Sequence, residues 1–134
     1  MNVERTESLF VRLGEDVVKV RQAVRAAALR IGFSLVNQTR IITAASEIAR
    51  NTVDYGGGGT LQIETVNSGA QRGLRLTFVD QGPGIPDVGQ ALKDGYTTSG
   101  GLGLGLSGAR RLSNEFEIQT SPGNGTTVTL VRWK

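Results

Sequence analysis

The sequence predicts an α/β fold, with helices packed on a mixed, largely antiparallel sheet. Three observations predict it. Two helical stripes follow one another within the first 55 residues. Two pairs of alternating segments come later, each pair split by a polar turn. Glycine-rich breaks separate these blocks. At 134 residues the chain has the size of one ordinary domain, residues 1–134, and its 38% hydrophobic content is enough to bury a core.

The elements read as follows. Residues 1–7 look like a loose leader, and "SLFVRL" at 8–13 a short strand. Residues 15–31 place Val17, Val18, Val20, Val24, Ala27, Ala28 and Ile31 on a helical stripe. Acids come first and basic residues later, which complements the helix dipole. Gly32 ends this helix. Ser34 can cap a second one running to about Tyr55, where "GGGG" at 56–59 breaks it. "TLQIETV" at 60–66 and "LRLTFVD" at 74–80 alternate as strands, with a polar turn at 67–73, so the pair reads as a hairpin. A loop with Pro83 and Pro86 follows, then a weak helix near 88–94, a glycine stretch, and a helix to about Phe116. "FEIQTS", the turn "PGNG" and "TTVTLVRW" close a second hairpin.

Composition narrows the chemistry. The sequence has no Cys and no His. Disulfides, thiolate catalysis, imidazole bases, His metal ligands and phosphohistidine are therefore excluded within this chain. What remains is carboxylates, hydroxyls, amides, Lys and Arg, and a hard cation such as magnesium. A net charge of +3 suits anionic ligands. Aromatics are 5% and no Lys/Arg cluster is interleaved with them, so no nucleic-acid partner is expected. No apolar run reaches membrane-spanning length and no charged-then-apolar leader is present. The expectation is a cytoplasmic protein that does not engage a membrane.

Three constellations carry chemistry. On the second helix, counting 100° per residue from Glu47, Thr43 falls at about −40°, Asn51 at about +40° and Asp54 at about −20°. Ile41, Ala45 and Ile48 lie between about 100° and 160°, an apolar face. Glu47 and Asn51 thus project side by side. Asn offers a neutral oxygen to a hard cation, and Glu can orient or deprotonate a hydroxyl. By itself the pair reads as a solvated helix face with a Glu–Asn contact. In "DQGPGIP", Asp80 ends an apolar strand and Gly82 and Gly84 follow. A carboxylate there can accept from an exocyclic amine such as adenine N6, and the glycines let a flat ring approach; an ordinary strand-ending turn has the same composition. The third, "TTSGGLGLGLSGARRL" at 97–112, holds five glycines between Gly100 and Gly108 and leads into a helix. Gly costs helix stability, and backbone N–H groups at such an entrance bind phosphate. Flexible loops share that pattern, but the alternating Leu argue against a plain linker.

In order, Glu-x-x-x-Asn, Asp-x-Gly-x-Gly, Gly-x-Gly-x-Gly and "GNGT" at 123–126 resemble the GHKL (Bergerat-fold) ATP-binding superfamily of gyrase, Hsp90, MutL and histidine-kinase ATPase domains. The likeness covers residues 34–133. "TAASEIARN", "DQGPGIPD", "DGYTTSGGLGLGL" and "RRL..EF" are most similar to its small serine protein kinases, the anti-sigma-factor group with the stressosome switch kinases. The resemblance implies a two-layer sandwich with helices on one sheet face. It implies that Asn51 coordinates magnesium on the ATP phosphates and that Glu47 is the catalytic base. It gives Asp80 the adenine amine, with Gly82 and Gly84 beside the ring and Thr126 in the same network. An ATP lid would run over 87–105, with Thr98, Ser99, Gly100, Gly101, Leu102, Gly103, Leu104 and Gly105 around the nucleotide. Arg50, Arg110 and Arg111 receive no role. The implied substrate is a Ser or Thr of a STAS-domain antagonist or scaffold protein, with a PPM-type phosphatase or other output enzyme downstream. Two other readings stand beside it: a nucleotide-gated anti-sigma factor that holds a sigma factor directly, and a plain α/β domain whose glycines serve turns.

Overall fold

The computed structural model describes residues 1–85, 104–120 and 122–134. In chain order the elements are β1 (Asn2–Val11), α1 (Asp16–Arg30), α2 (Leu35–Asp54), β2 (Gly59–Ser68), β3 (Gln71–Asp80), α3 (Leu104–Arg111), β4 (Glu115–Thr120) and β5 (Thr126–Trp133). The expected short helix near 88–94 lies outside the described residues.

The five strands form one sheet in the order β1-β2-β3-β5-β4. All four pairings are antiparallel, where a mixed, mostly antiparallel sheet was expected. The reason lies in the connections. The α1–α2 hairpin carries the chain out and back, so β2 returns antiparallel to β1. β3 and β4 do run the same way, but β5 inserts between them and pairs with both. No parallel ladder forms among the described residues.

Period-2 alternation decides which sheet face is covered. Leu61 and Ile63 of β2, Leu74, Leu76 and Phe78 of β3, and Val128 and Leu130 of β5 are buried. They join Val20 and Val24 of α1, Ile41, Ala45 and Ile48 of α2, and Leu106 and Ala109 of α3 in one apolar cluster. The helices therefore cover one face, as the sequence predicts. Among the described residues no helix is long and apolar enough to cross a membrane.

Local chemistry sets the helix ends. Asp16, the first residue of α1, turns back so that Oδ2 accepts from the Arg12 N–H at 2.9 Å and the Leu13 N–H at 3.0 Å. Those two backbone donors hold its carboxyl below the usual carboxylate range. Ser34 caps α2 as expected, its hydroxyl accepting from the Asn37 N–H at 3.1 Å. α3 stops at Arg111, short of the expected Phe116. The Asn114 N–H donates to the Val131 carbonyl at 2.8 Å and draws the following residues into β4, where Phe116 and Ile118 point inward.

The N-terminal segment also differs from expectation. It is not a loose leader but most of a ten-residue edge strand. Asn2↔Asn67 through Val11↔Gly59 pair along β2, with one register shift between Val3 and Arg5. The β2–β3 turn shrinks from seven residues to two, because Ser68 already faces Gln71 and Asn67 faces Arg72. Glu4 ties the three strands together, accepting from Asn67 Nδ2 at 3.0 Å and from both Nε and Nη2 of Arg72. The Asn67 amide first, then Arg72, keep the Glu4 carboxyl below its ordinary value.

Candidate active site

The C-terminal half of α2 and the ends of β3 and β5 frame a pocket with about 430 Å³ of empty space, counting its open mouth. One wall is α2, through Ile48, Asn51, Thr52, Tyr55 and the following Gly56. The opposite wall is the sheet, through Phe78 and Asp80 of β3 and Thr126 and Val128 of β5. Gly84, Ile85 and Leu106 complete the lining. The walls are largely apolar, with a few polar groups aimed inward.

The helical count from the sequence holds. Ile41, Ala45 and Ile48 are buried at 0%, 0% and 1% exposure. Glu47 and Asn51 are half-buried on the polar side, and Thr43 and Asp54 are exposed. Asn51 lines the pocket, and its Nδ2 is buried without a hydrogen-bond partner. Leaving a buried amide unpaired costs free energy, so this group points to an absent ligand. Glu47 stands one turn earlier, outside the pocket lining, and among the described residues its carboxylate has no partner. No three His, Cys, Asp or Glu residues converge among the described residues. A hard cation here would lean on the Asn51 oxygen and on oxygens of the ligand itself. Magnesium, which takes few protein ligands, fits such a donor set.

Asp80 is built to opposite specifications. Its Oδ1 accepts from the Gly82 N–H at 2.9 Å and the Thr126 N–H at 3.2 Å. Register explains the second contact, since Asp80 faces Thr126 across the β3–β5 ladder. Oδ2 remains open. Room for the carboxylate comes from glycine. A Cβ at Gly56 would lie 2.6 Å from Asp80 Oδ2, and one at Gly125 would strike the Asp80 carbonyl oxygen. Gly125 also has φ +76, which other residues rarely adopt.

The structure thus brings Asn51, Asp80, Gly84 and Thr126 to one pocket, with Gly82 behind Asp80 and Glu47 beside Asn51. Thr98, Ser99, Gly100, Gly101, Leu102 and Gly103 lie outside the described residues. Leu104 and Gly105 open α3, the helix expected after the glycine run. Sequence reasoning missed Gly56, which reads only as a helix breaker. It also missed Thr120, whose hydroxyl braces the pocket from behind. The apolar lining was legible only as core.

The family model for histidine kinase-, DNA gyrase B- and HSP90-like ATPases matches residues 36–134. The chain belongs to this family. ATP use comes with it. Within the family the chain groups with the serine/threonine-protein kinases. It is 46% identical over 118 residues to serine/threonine-protein kinase RsbT of Bacillus subtilis (strain 168), a match covering 88% of this chain and 89% of the relative. It is 27% identical over 129 residues to the anti-sigma F factor of Thermoanaerobacter sp. (strain X514), covering 92% and 90%. The solved structure of the RsbU and RsbW domains of Rv1364c from Mycobacterium tuberculosis matches the fold with a TM-score of 0.64 at 21% identity. That match covers 96% of this chain and 33% of the longer one. The kinase likeness is the stronger, and the direct sigma-factor reading is not favoured.

Proposed function

We propose that residues 1–134 act as one cytoplasmic ATP-binding kinase unit. It transfers the γ-phosphoryl group of magnesium-ATP to a Ser or Thr hydroxyl of a STAS-domain antagonist or scaffold protein, in partner-switching signalling of the stressosome type. Release from that partner then frees it to activate an output enzyme such as a PPM-type phosphatase. The observation that carries this reading is the convergence on one pocket of Asn51, whose Nδ2 is buried and unpartnered, and the Asp80 carboxylate.

The roles follow from that geometry. Asp80 Oδ2 is free to accept from the adenine amine while Oδ1 is held by two backbone donors. Tyr55, Ile48 and Val128 supply apolar surface for the ring. Asn51 would hold the magnesium ion, which, when bound, offsets charge on the phosphates. Glu47 sits about 6 Å further along the α2 axis, one turn from Asn51. There it orients the incoming hydroxyl and takes its proton, as that oxygen bonds to phosphorus and ADP leaves. Thr98–Leu102 and the glycines Gly100, Gly101, Gly103 and Gly105 would bring backbone N–H groups to the phosphates.

The test is transfer from γ-labelled ATP to the STAS-domain protein, with Glu47→Ala as control. Label on the partner's Ser or Thr is expected, falling roughly 10²- to 10⁴-fold in the variant. Calorimetry should show ADP bound equally by both. A Glu47→Ala protein as fast as wild type removes the base role. Nucleotide binding with no transfer would leave a nucleotide-gated binding module.

A further inference from the structure

Thr120 does not line the pocket, yet its hydroxyl meets three groups that shape it. It lies at the end of β4, opposite Thr126 in the β4–β5 ladder. Its Oγ1 accepts from the Ile85 N–H at 2.9 Å and donates to the Gly125 carbonyl at 3.0 Å. It also lies 3.0 Å from Thr126 Oγ1, a contact either hydroxyl could donate.

Counting protons resolves that contact. A threonine hydroxyl has one proton and two lone pairs. The Thr120 proton is committed to the Gly125 carbonyl, which has no proton to return. One lone pair takes the Ile85 N–H. The remaining lone pair can hold the Thr126 contact only if Thr126 donates. The reverse arrangement would leave Thr120 and Gly125 oxygens 3.0 Å apart with no proton between them. Thr126 therefore spends its proton on Thr120. Thr126 lines the pocket, and with its proton spent its hydroxyl has only lone pairs left to offer there.

We infer that Thr120 sets the hydrogen-bond polarity of the base site, as a positioning residue acting through Thr126. This rests on the nucleotide reading above. Thr126 and Asp80 face each other across the β3–β5 ladder and both line the pocket, so Thr126 Oγ1 and Asp80 Oδ2 would meet a bound base as acceptors. A purine with an amino group at position 6 carries two hydrogens to satisfy them. A 6-oxo purine points lone pairs at both. The site thus selects 6-aminopurine nucleotides by the direction of one proton as well as by the charge of Asp80. Loss of the Thr120 hydroxyl frees the Thr126 proton, and that wall becomes tolerant of a 6-oxo group.

ADP and IDP differ at purine position 6, amino against oxo, and in the N1 proton that accompanies the oxo form, and they are the probes. Titration calorimetry should give a wild-type preference for ADP of about 100-fold, the upper scale of one buried polar group left without its partner. In Thr120→Val the preference should fall to about 10-fold, the remainder coming from Asp80, and Thr120→Ser should restore it. A mere brace behaves differently: Thr120→Val would weaken both nucleotides equally and leave their ratio unchanged, which overturns the inference. Should Thr120→Val fail to fold, Thr126→Val removes the second acceptor directly. The same narrowing of the ratio is expected there, and an unchanged ratio again overturns the inference. Wild-type protein that binds neither ADP nor IDP is a separate outcome, and it removes the nucleotide reading itself.

Discussion

Asp80 and Asn51 reach the same pocket from opposite walls, and their surroundings differ in kind. The Asp80 carboxylate is fixed by two backbone N–H groups and hemmed in by Gly56, Gly82 and Gly125. The Asn51 amide has an unpaired, buried nitrogen, and Glu47 beside it has no partner among the described residues. The sheet wall is finished before any ligand arrives. The helix wall is not. A group that reads a constant feature gains from being preset, because its ordering cost is met during folding. Groups that meet a cation and a moving hydroxyl must keep their lone pairs open until then.

This contrast can be broken by substitution. The largest effect is expected at Gly125→Ala, where a Cβ meets the Asp80 backbone and the φ is unfavourable. About 3 kcal/mol of stability should go in urea unfolding, with ADP binding. Next comes a matched pair. Asp80→Leu strands the Gly82 and Thr126 N–H groups and should cost about 1–3 kcal/mol. Asn51→Leu removes an amide with an unpaired nitrogen, so the ligand-free protein should stay within about 1 kcal/mol of wild type or gain stability, though it should no longer bind magnesium-ADP. Equal destabilisation by the two would erase the distinction between the walls.

Acid supplies a third comparison, with a region remote from the pocket. Asp16 and Glu4 have folded-state values held down by hydrogen bonds. Their stabilisation is present above the unfolded carboxylate values, about 3.9 and 4.3, and is lost as pH falls through the lower folded ones. Stability should therefore decline below about pH 4. Asp16→Asn should unfold more readily than wild type at pH 7, with the gap between their urea midpoints closing towards pH 2. The smallest effect is a gain. Gly108 lies within α3 with nothing near its absent Cβ, so Gly108→Ala should stabilise by about 0.5–1 kcal/mol in thermal unfolding.

How much of this was legible depended on whether a residue's environment is local. α2 was readable from end to end, because Ser34 caps it, the glycine run ends it, and its apolar and polar stripes follow helical spacing. Asp80 was readable as a strand-ending acceptor. The first half of β1 was not, since residues 2–6 are exposed and, Val3 aside, polar, and pairing with β2 together with the Glu4 contacts to Asn67 and Arg72 holds them in the sheet. The antiparallel sheet depended on β5 inserting between β3 and β4, a long-range choice that no window of sequence contains. Gly56 and Thr120 act on Asp80 and Thr126 across the fold, so their roles existed only in three dimensions.

The position of β5 has one more consequence, for synthesis. It follows every other element in the chain, yet it sits inside the sheet, between β3 and β4. A ribosome moving at about 5–20 residues per second releases the helix wall first and the strand bearing Thr126 last. Until then, β3 and β4 each lack their shared neighbour, and Asp80 lacks one of its two donors. A nascent chain therefore cannot close its nucleotide pocket early. Competence arrives in a single late step, when the final strand zips into the gap.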